Sequence, residues 1–299
     1  MKLRGFLCVV FAAMLWGMSG TVAKYLFNQA VNPLVLVEIR LTSAAAILGL
    51  VLLLVSRQSL LVRRKDMLYL AFLGIFGVAG VQFAYFFTIS QTNVATAIFL
   101  QYTSPVMVAL YAVFFQREKL GRAKLACLII TVAGSYLMVF SRGLSVTSAG
   151  LASGLLSAVF VTIYTVFSKR ALAAYSPWTV LFYCFAVGAV AGALIVPPWS
   201  YPAGTFGSTN LLFFLYFALF ATVVPFGCYF IGLKYLQPTT VGITSTLEPV
   251  IAAFTAFLLL NERLSLSQVA GALLVLMAVV LLQLAGHSQP VQSNSQQAT

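Results

Sequence analysis

Very few residues in this 299-residue chain can do chemistry. Five carboxylates stand among 17 Lys and Arg, and the single histidine is His287. Two of the carboxylates, Glu38 and Glu248, fall inside long apolar stretches. A carboxylate near the centre of a bilayer is costly and marks function more often than packing. Glu248 can bind a substrate ammonium, carry a coupling proton, or accept hydrogen bonds from neighbouring helices. It is followed by Pro249 and preceded by Thr244, Ser245 and Thr246. Proline lacks a backbone donor, so the turn before it loses a hydrogen bond. The first half of the chain has a parallel run, Gln101, Tyr102, Thr103 and Ser104 before Pro105. Both prolines fall near the middle of an apolar stretch, so freed carbonyls and side-chain oxygens gather at one depth. That is tolerated only where they face protein or water. Such a kink can be structural, satisfied by Ser and Thr, and can line a cavity as well.

Glu38 and Arg40 are two residues apart, which on a helix sends them to different faces. They are expected to pair with other helices, Lys24 being a candidate for Glu38, in a structural or gating role. Trp16, Tyr85, Tyr102, Tyr164 and Tyr229 could wall a pocket around Glu248, and aromatic faces with an anion suit an amine or quaternary ammonium. Glu118 and Glu262, each beside basic residues, read as loop-organising groups.

No HExxH, Gly-rich phosphate loop or Cys/His cluster occurs, so no metal site and no cofactor is expected. Cys8, Cys127, Cys184 and Cys228 lie singly in apolar runs and read as packing residues. An intramembrane enzyme is a remote alternative, since Glu38 and Glu248 sit at different depths. No ring of like charge or filter-like repeat suggests a channel.

These residues must be held by membrane helices. Hydrophobic residues make up 62% of the chain and charged residues 7%, against about 25% charged in soluble domains. The apolar runs are continuous, unlike the alternating strands of a barrel. Breaks at charges, prolines and polar clusters predict ten spans: 4–26, 33–55, 67–89, 94–115, 122–141, 148–168, 177–196, 210–232, 238–260 and 267–285. The first is read as a span rather than a cleaved leader. The polar segment 286–299 is expected to be a disordered cytoplasmic tail. The net charge of +12 does not make this a nucleic-acid binder, because the basic residues lie between apolar runs. With the N-terminus inside, thirteen of them fall on the inner side and three, Lys24, Arg142 and Arg263, on the outer. That bias predicts a multi-pass protein of the cell (plasma or inner) membrane with both termini cytoplasmic.

The chain also repeats itself. At a shift of 144, Pro33 meets Pro177, Tyr85-Phe86 meets Tyr229-Phe230, Pro105-Val106 meets Pro249-Val250, and Glu118 meets Glu262. The expected units are 1–142 and 148–285. With five spans each, the second copy enters the membrane from the opposite side, and inverted repeats of this kind serve transporters.

Leu15-Trp16-Gly17, Pro105, and Phe115-Gln116-Arg117-Glu118-Lys119-Leu120, echoed by Glu248-Pro249-Val250 and Asn261-Glu262-Arg263-Leu264, resemble the EamA family of the drug/metabolite transporter superfamily. The resemblance covers about 4 to 285. It implies an all-α integral membrane fold of ten transmembrane helices in two inverted five-helix repeats, around a cavity lined by helices 1, 3, 4, 6, 8 and 9. Members mostly export amino acids and other metabolites. The function expected is therefore secondary transport of small polar metabolites, amino acids or related amines, by alternating access, with uptake of a choline-like quaternary ammonium as the alternative. Expected substrate contacts are Trp16, Tyr85, Gln101, Tyr102, Ser104, Tyr164, Tyr229, Ser245 and Glu248. Pro105, Pro249, Glu38 and Arg40 are expected to act in kinking or gating. One departure matters: where the second half has Glu248, the first has Ser104.

Overall fold

The computed structural model describes residues 1–28, 32–92, 94–117, 120–140, 147–201, 208–260 and 264–287. Among them there is no strand, and ten helical stretches follow one another. They are α1 (Lys2–Asn28), α2 (Pro33–Val55), α3 (Arg64–Gln91), α4 (Val94–Gln101, resumed as Ser104–Phe114) and α5 (Arg122–Phe140). The second five are α6 (Ser148–Ala174), α7 (Pro177–Ile195), α8 (Ser208–Ala218 running on through Val224–Tyr235), α9 (Pro238–Ser245, resumed as Leu247–Leu260) and α10 (Leu266–His287). Eight of these are long and apolar enough to cross a bilayer. The other two are α5, of 19 residues, and α9, which is divided at Thr246. The segment 288–299, Glu118, Glu262 and the side chain of Lys24 lie outside the described residues.

The helix starts follow from local chemistry. Proline opens α2, α7 and α9, where its missing N–H costs nothing and its fixed φ suits the first turn. Asn32, Thr147 and Ser176 cap α2, α6 and α7, each side chain accepting a backbone N–H at 2.9 to 3.1 Å. Pro33 and Pro177, matched by the repeat, thus play one role in both copies.

Packing between the two halves is reciprocal. α1 lies on α8 and α9, as α6 lies on α3 and α4; α2 pairs with α7, and α5 with α10. Advancing every helix by five exchanges these contacts, so the first five helices and the second five pack on each other reciprocally. Large apolar side chains such as Leu54, Leu194 and Leu212 remain exposed on the periphery, where lipid covers them. Lipid is as apolar as leucine, so helices associate by close packing rather than by escape from water. Small residues provide it. A Cβ at Gly77 on α3 would stand 3.0 Å from Tyr164 Cβ on α6, and one at Gly74 would stand 3.0 Å from the Cys184 carbonyl oxygen on α7. The core behind these contacts centres on Phe185, Phe217, Tyr229 and Phe230.

Two irregularities recur at matched positions. α3 widens into a π-helical turn over Leu73–Ala79, and α8 does so over Leu219–Val223. α4 breaks at Tyr102 and Thr103, and α9 breaks at Thr246. A shift of 144 brings each pair into overlap. All four breaks fall mid-helix, the depth at which a transporter keeps its site.

The α5–α10 pair tests the packing away from the centre. A Cβ at Gly134 would stand 2.8 Å from the Gly271 carbonyl oxygen. Gly134→Val should therefore cost about 1–3 kcal/mol through overpacking, read as a lower melting midpoint in detergent. An unchanged midpoint would show that this crossing is loose.

Candidate functional site

The prolines set the position of the site. Pro249 cannot donate to the carbonyl of Ser245, four residues before it. In its place the Tyr102 hydroxyl approaches Ser245 O at 3.1 Å, and Glu248 Oε2 at 2.8 Å. Its one hydrogen is shared between them. The break in α4 thus supplies the side chain that steadies the break in α9. Glu248 also lies in the first turn of the resumed α9, where the helix dipole favours a negative charge. α1 reaches this turn because residue 17 is glycine: a Cβ there would stand 2.7 Å from the Glu248 carbonyl oxygen and 2.8 Å from Ile251 Cβ.

Pro225 acts in the same way on α8. It withholds a donor from the Ala221 carbonyl, within the π-helical turn. Arg40 Nη2, from α2, donates to that oxygen at 2.9 Å. Arg40 Nε donates to Thr222 Oγ1 at 3.1 Å, whose own hydrogen goes to Phe217 O at 2.7 Å. The guanidinium lies between the rings of Phe86 and Phe217, 5.5 Å from each centroid. It is 5% exposed and makes no ion pair among the described residues.

These groups face one cavity of about 100 Å³ between the repeats. Of the residues expected to contact substrate, Trp16, Tyr85, Gln101, Tyr102, Ser104, Tyr164, Ser245 and Glu248 all line it. Tyr229 does not reach the lining. It is 1% exposed and stands behind Trp16 and Tyr164, with ring centroids 5.5 and 5.2 Å away, and its hydroxyl pairs with Thr165 at 2.8 Å. Pro105 is buried at the α4 break, and Pro249 at the α9 break.

Glu38 and Arg40 part company. Arg40 lines the cavity, so α2 joins the six helices expected around it. Glu38 does not. Its Oε1 accepts from Thr42 at 2.8 Å, while Oε2 lies against Gly192, with no hydrogen-bond partner among the described residues. Arg40, Gln82, Phe86, Phe217 and the Ala221–Thr222 turn are the parts of the site that sequence reasoning did not assemble. The available signal was Pro225, four residues after Ala221. Of three larger grooves, those of about 660 and 580 Å³ are apolar clefts at the bundle periphery and offer nothing to a polar ligand, and one of about 600 Å³ is an open hollow at the end of α6 beside Lys169, Ser176 and Lys234, away from the cavity.

Within the cavity Arg40 and Glu248 attract one another without touching. By register the lining extends from mid-helix to Ser19 on α1, Ile89 on α3 and Gln101 on α4, toward the face opposite the N-terminus. On the other side the Trp16–Tyr229–Tyr164 cluster forms the floor, and Tyr164 stacks on Phe230. Nearer the N-terminal face, the Tyr175 hydroxyl donates to Asp66 at 2.6 Å and accepts from the Arg63 backbone N–H at 3.2 Å, tying the start of α3 to the end of α6.

A cavity with polar groups at mid-depth, between two helical bundles with broken helices, is the arrangement of an integral membrane transporter. Comparison with known proteins gives the family: the chain belongs to the EamA-like transporter family, whose model matches residues 3–140 and again 148–284. The inner membrane transporter YicL of Salmonella typhimurium is 31% identical over 294 residues, 94% of this chain and 95% of that one. The pseudopaline exporter CntI of Pseudomonas aeruginosa is 26% identical over 276 residues, 91% and 95% of the two chains. A crystal structure with 20% identity superposes with a TM-score of 0.82 over 96% of this chain and 99% of that one, a likeness of fold. The protein is a transporter and not an enzyme.

The α4–α9 link is testable. Tyr102→Phe leaves Ser245 O and Glu248 without their shared donor. It should lower stability in detergent by about 1–2 kcal/mol, above the average for interhelical bonds in membranes because one acceptor is charged. A midpoint equal to that of the parent protein would show that water replaces the hydroxyl at no cost.

Proposed function

We propose that this protein is a secondary transporter of the inner membrane that moves small polar metabolites, amino acids or related amines, out of the cytoplasm by alternating access at the cavity between its repeats. The observation that carries this reading is Glu248, a carboxylate at mid-depth, held by Tyr102 and open to an aromatic-walled cavity. Keeping an anion there is expensive unless a cation visits it. An ammonium between Trp16, Tyr85 and Tyr164 gains both the ion pair and the ring faces. The export direction is supported by the exporter among the relatives. The bias of basic residues toward one side of the spans supports cytoplasmic termini. On that placement the cavity lies in the outer half of the membrane, and the aromatic floor closes the inner half. Transport then requires the two repeats to exchange conformations, opening the floor and closing the outer half.

The same walls favour a second reading, capture of a choline-like quaternary ammonium. Purified protein in proteoliposomes, offered labelled amino acids in parallel with labelled choline, separates the two. Amino-acid flux without choline flux is expected, and its response to an imposed pH gradient reports proton coupling. Glu248→Gln should reduce the flux at least about tenfold, the loss of one charged contact, and should remove any response to the gradient. Normal transport by Glu248→Gln at every pH would sink the assignment. Choline flux alone would replace it with the uptake reading.

Orientation has its own check. A reporter fused to the C-terminus should be active only when it requires the cytoplasm, and a periplasmic reporter should be silent. The reverse pattern would turn the cavity toward the inside.

A further inference from the structure

We propose that Arg40 is the fixed anchor for an anionic group on the cargo, so that the cavity selects a small zwitterion with its carboxylate on Arg40 and its ammonium on Glu248. This rests on the transporter reading and on Glu248 as the amine contact.

A guanidinium buried at mid-membrane normally has a carboxylate beside it. In direct contact Arg40 has only neutral groups, a carbonyl, a hydroxyl and two ring faces, and the one carboxylate that attracts it, Glu248, stands off across the cavity. Those groups take Nε and Nη2. Nη1 has no hydrogen-bond partner among the described residues, yet it is not among the fully buried unpartnered atoms. One end of the fork is therefore reachable from the cavity that Arg40 lines. Planar, donor-only guanidinium matches a carboxylate in this geometry.

The two charges are also kept apart. Arg40 is tied to α8, and Glu248 to Tyr102 on α4. Left free in a low-dielectric cavity, opposite charges that attract would close on each other. Held open by separate tethers, they leave room for a cargo carrying the complementary pair. The tethers fix both contacts before binding, so little ordering is needed when the cargo arrives. A cargo with a positive charge alone gains Glu248 but meets uncompensated repulsion from Arg40. This discriminates against simple amines and against choline. A cargo with only a carboxylate meets the reverse penalty at Glu248.

The test uses the full-length protein, in detergent and in proteoliposomes. The probes are the proteinogenic L-amino acids, the amines formed by removing their carboxyl groups, and the acids lacking their amino groups. Melting midpoint reports binding, and labelled flux reports transport. The expected result is that one or more amino acids raise the midpoint and cross the membrane, while both single-charge analogues of the same side chain do neither. Arg40→Gln should weaken apparent affinity for the amino acid by roughly 10- to 100-fold, the loss of a charge-assisted contact. Arg40→Lys should recover part of it. Thr222→Val, which keeps the charge but frees Nε, should raise KM with a smaller effect on kcat. If Arg40→Gln does not fold, the last two variants carry the test, and an unchanged KM in both overturns the proposal. Amines that move as fast as their parent amino acids, with Arg40→Gln indifferent, would make Arg40 a helix clamp while leaving amine transport intact. No flux or midpoint shift from any of the three probe sets would overturn this inference and the amine reading together.

Discussion

The structure depends on one constraint: inside a bilayer, a backbone carbonyl that loses its donor must be given another. Pro105, Pro225 and Pro249 each withhold a donor at mid-depth. The molecule has few side chains with which to respond, since only 7% of residues are charged. Two responses are visible. Tyr102 reaches Ser245 O, and Arg40 reaches Ala221 O. Each joins different helices, α4 to α9 and α2 to α8, and the second spans 181 residues of sequence. The polar groups that repair the backbone are therefore the groups that line the cavity. Glu248 is steadied by the hydroxyl that repairs its own helix, so the cost of one broken turn is offset by the same bond that positions the carboxylate.

Much of this is legible in the residues alone. The helices open at Pro33, Val94, Arg122, Ser148, Pro177 and Pro238, because proline, capping residues and charge announce a helix start within one turn. The breaks in α4 and α9 follow from Pro105 and Pro249. The aromatic wall follows from which helices a ten-span inverted repeat brings to the centre. Arg40 is different. Its neighbours are a carbonyl and two rings, none of which carries a sequence signal, and its proximity to Glu38 along the chain suggests a shared role that the helix geometry denies. The π-helical turns are equally silent: one residue too many in a turn has no compositional mark, although Gly74 and Gly77 sit in one of them. Tyr229 shows a further limit. It faces the centre, but whether a ring forms the wall or stands behind it depends on how its helix is turned. No pattern of spacing fixes that; the Tyr164 and Trp16 rings in front of it do.

The repeat supplies a symmetric scaffold, and function requires that the symmetry be broken. Both copies contribute a proline-broken helix, a π-helical turn and a pair of Tyr-Phe residues on α3 and α8. The charges do not repeat. The position in the second copy that matches Arg40 is Cys184, fully buried and in contact with α3. The position in the first copy that matches Glu248 is Ser104. One copy thus brings the cation and the other the anion, and the field they create runs across the interface between the copies. A cavity built of two identical halves would place like charges opposite each other, which a low dielectric punishes severely. Dividing opposite charges between the halves removes that penalty and leaves the cavity close to neutral overall. It also ties the field to the relative position of the two bundles. Because Arg40 is bonded to the second copy through α8, and Glu248 to the first through Tyr102, any motion of one bundle against the other must either carry these bonds along or break them. The contacts that shape the cavity are therefore the ones that join the two bundles.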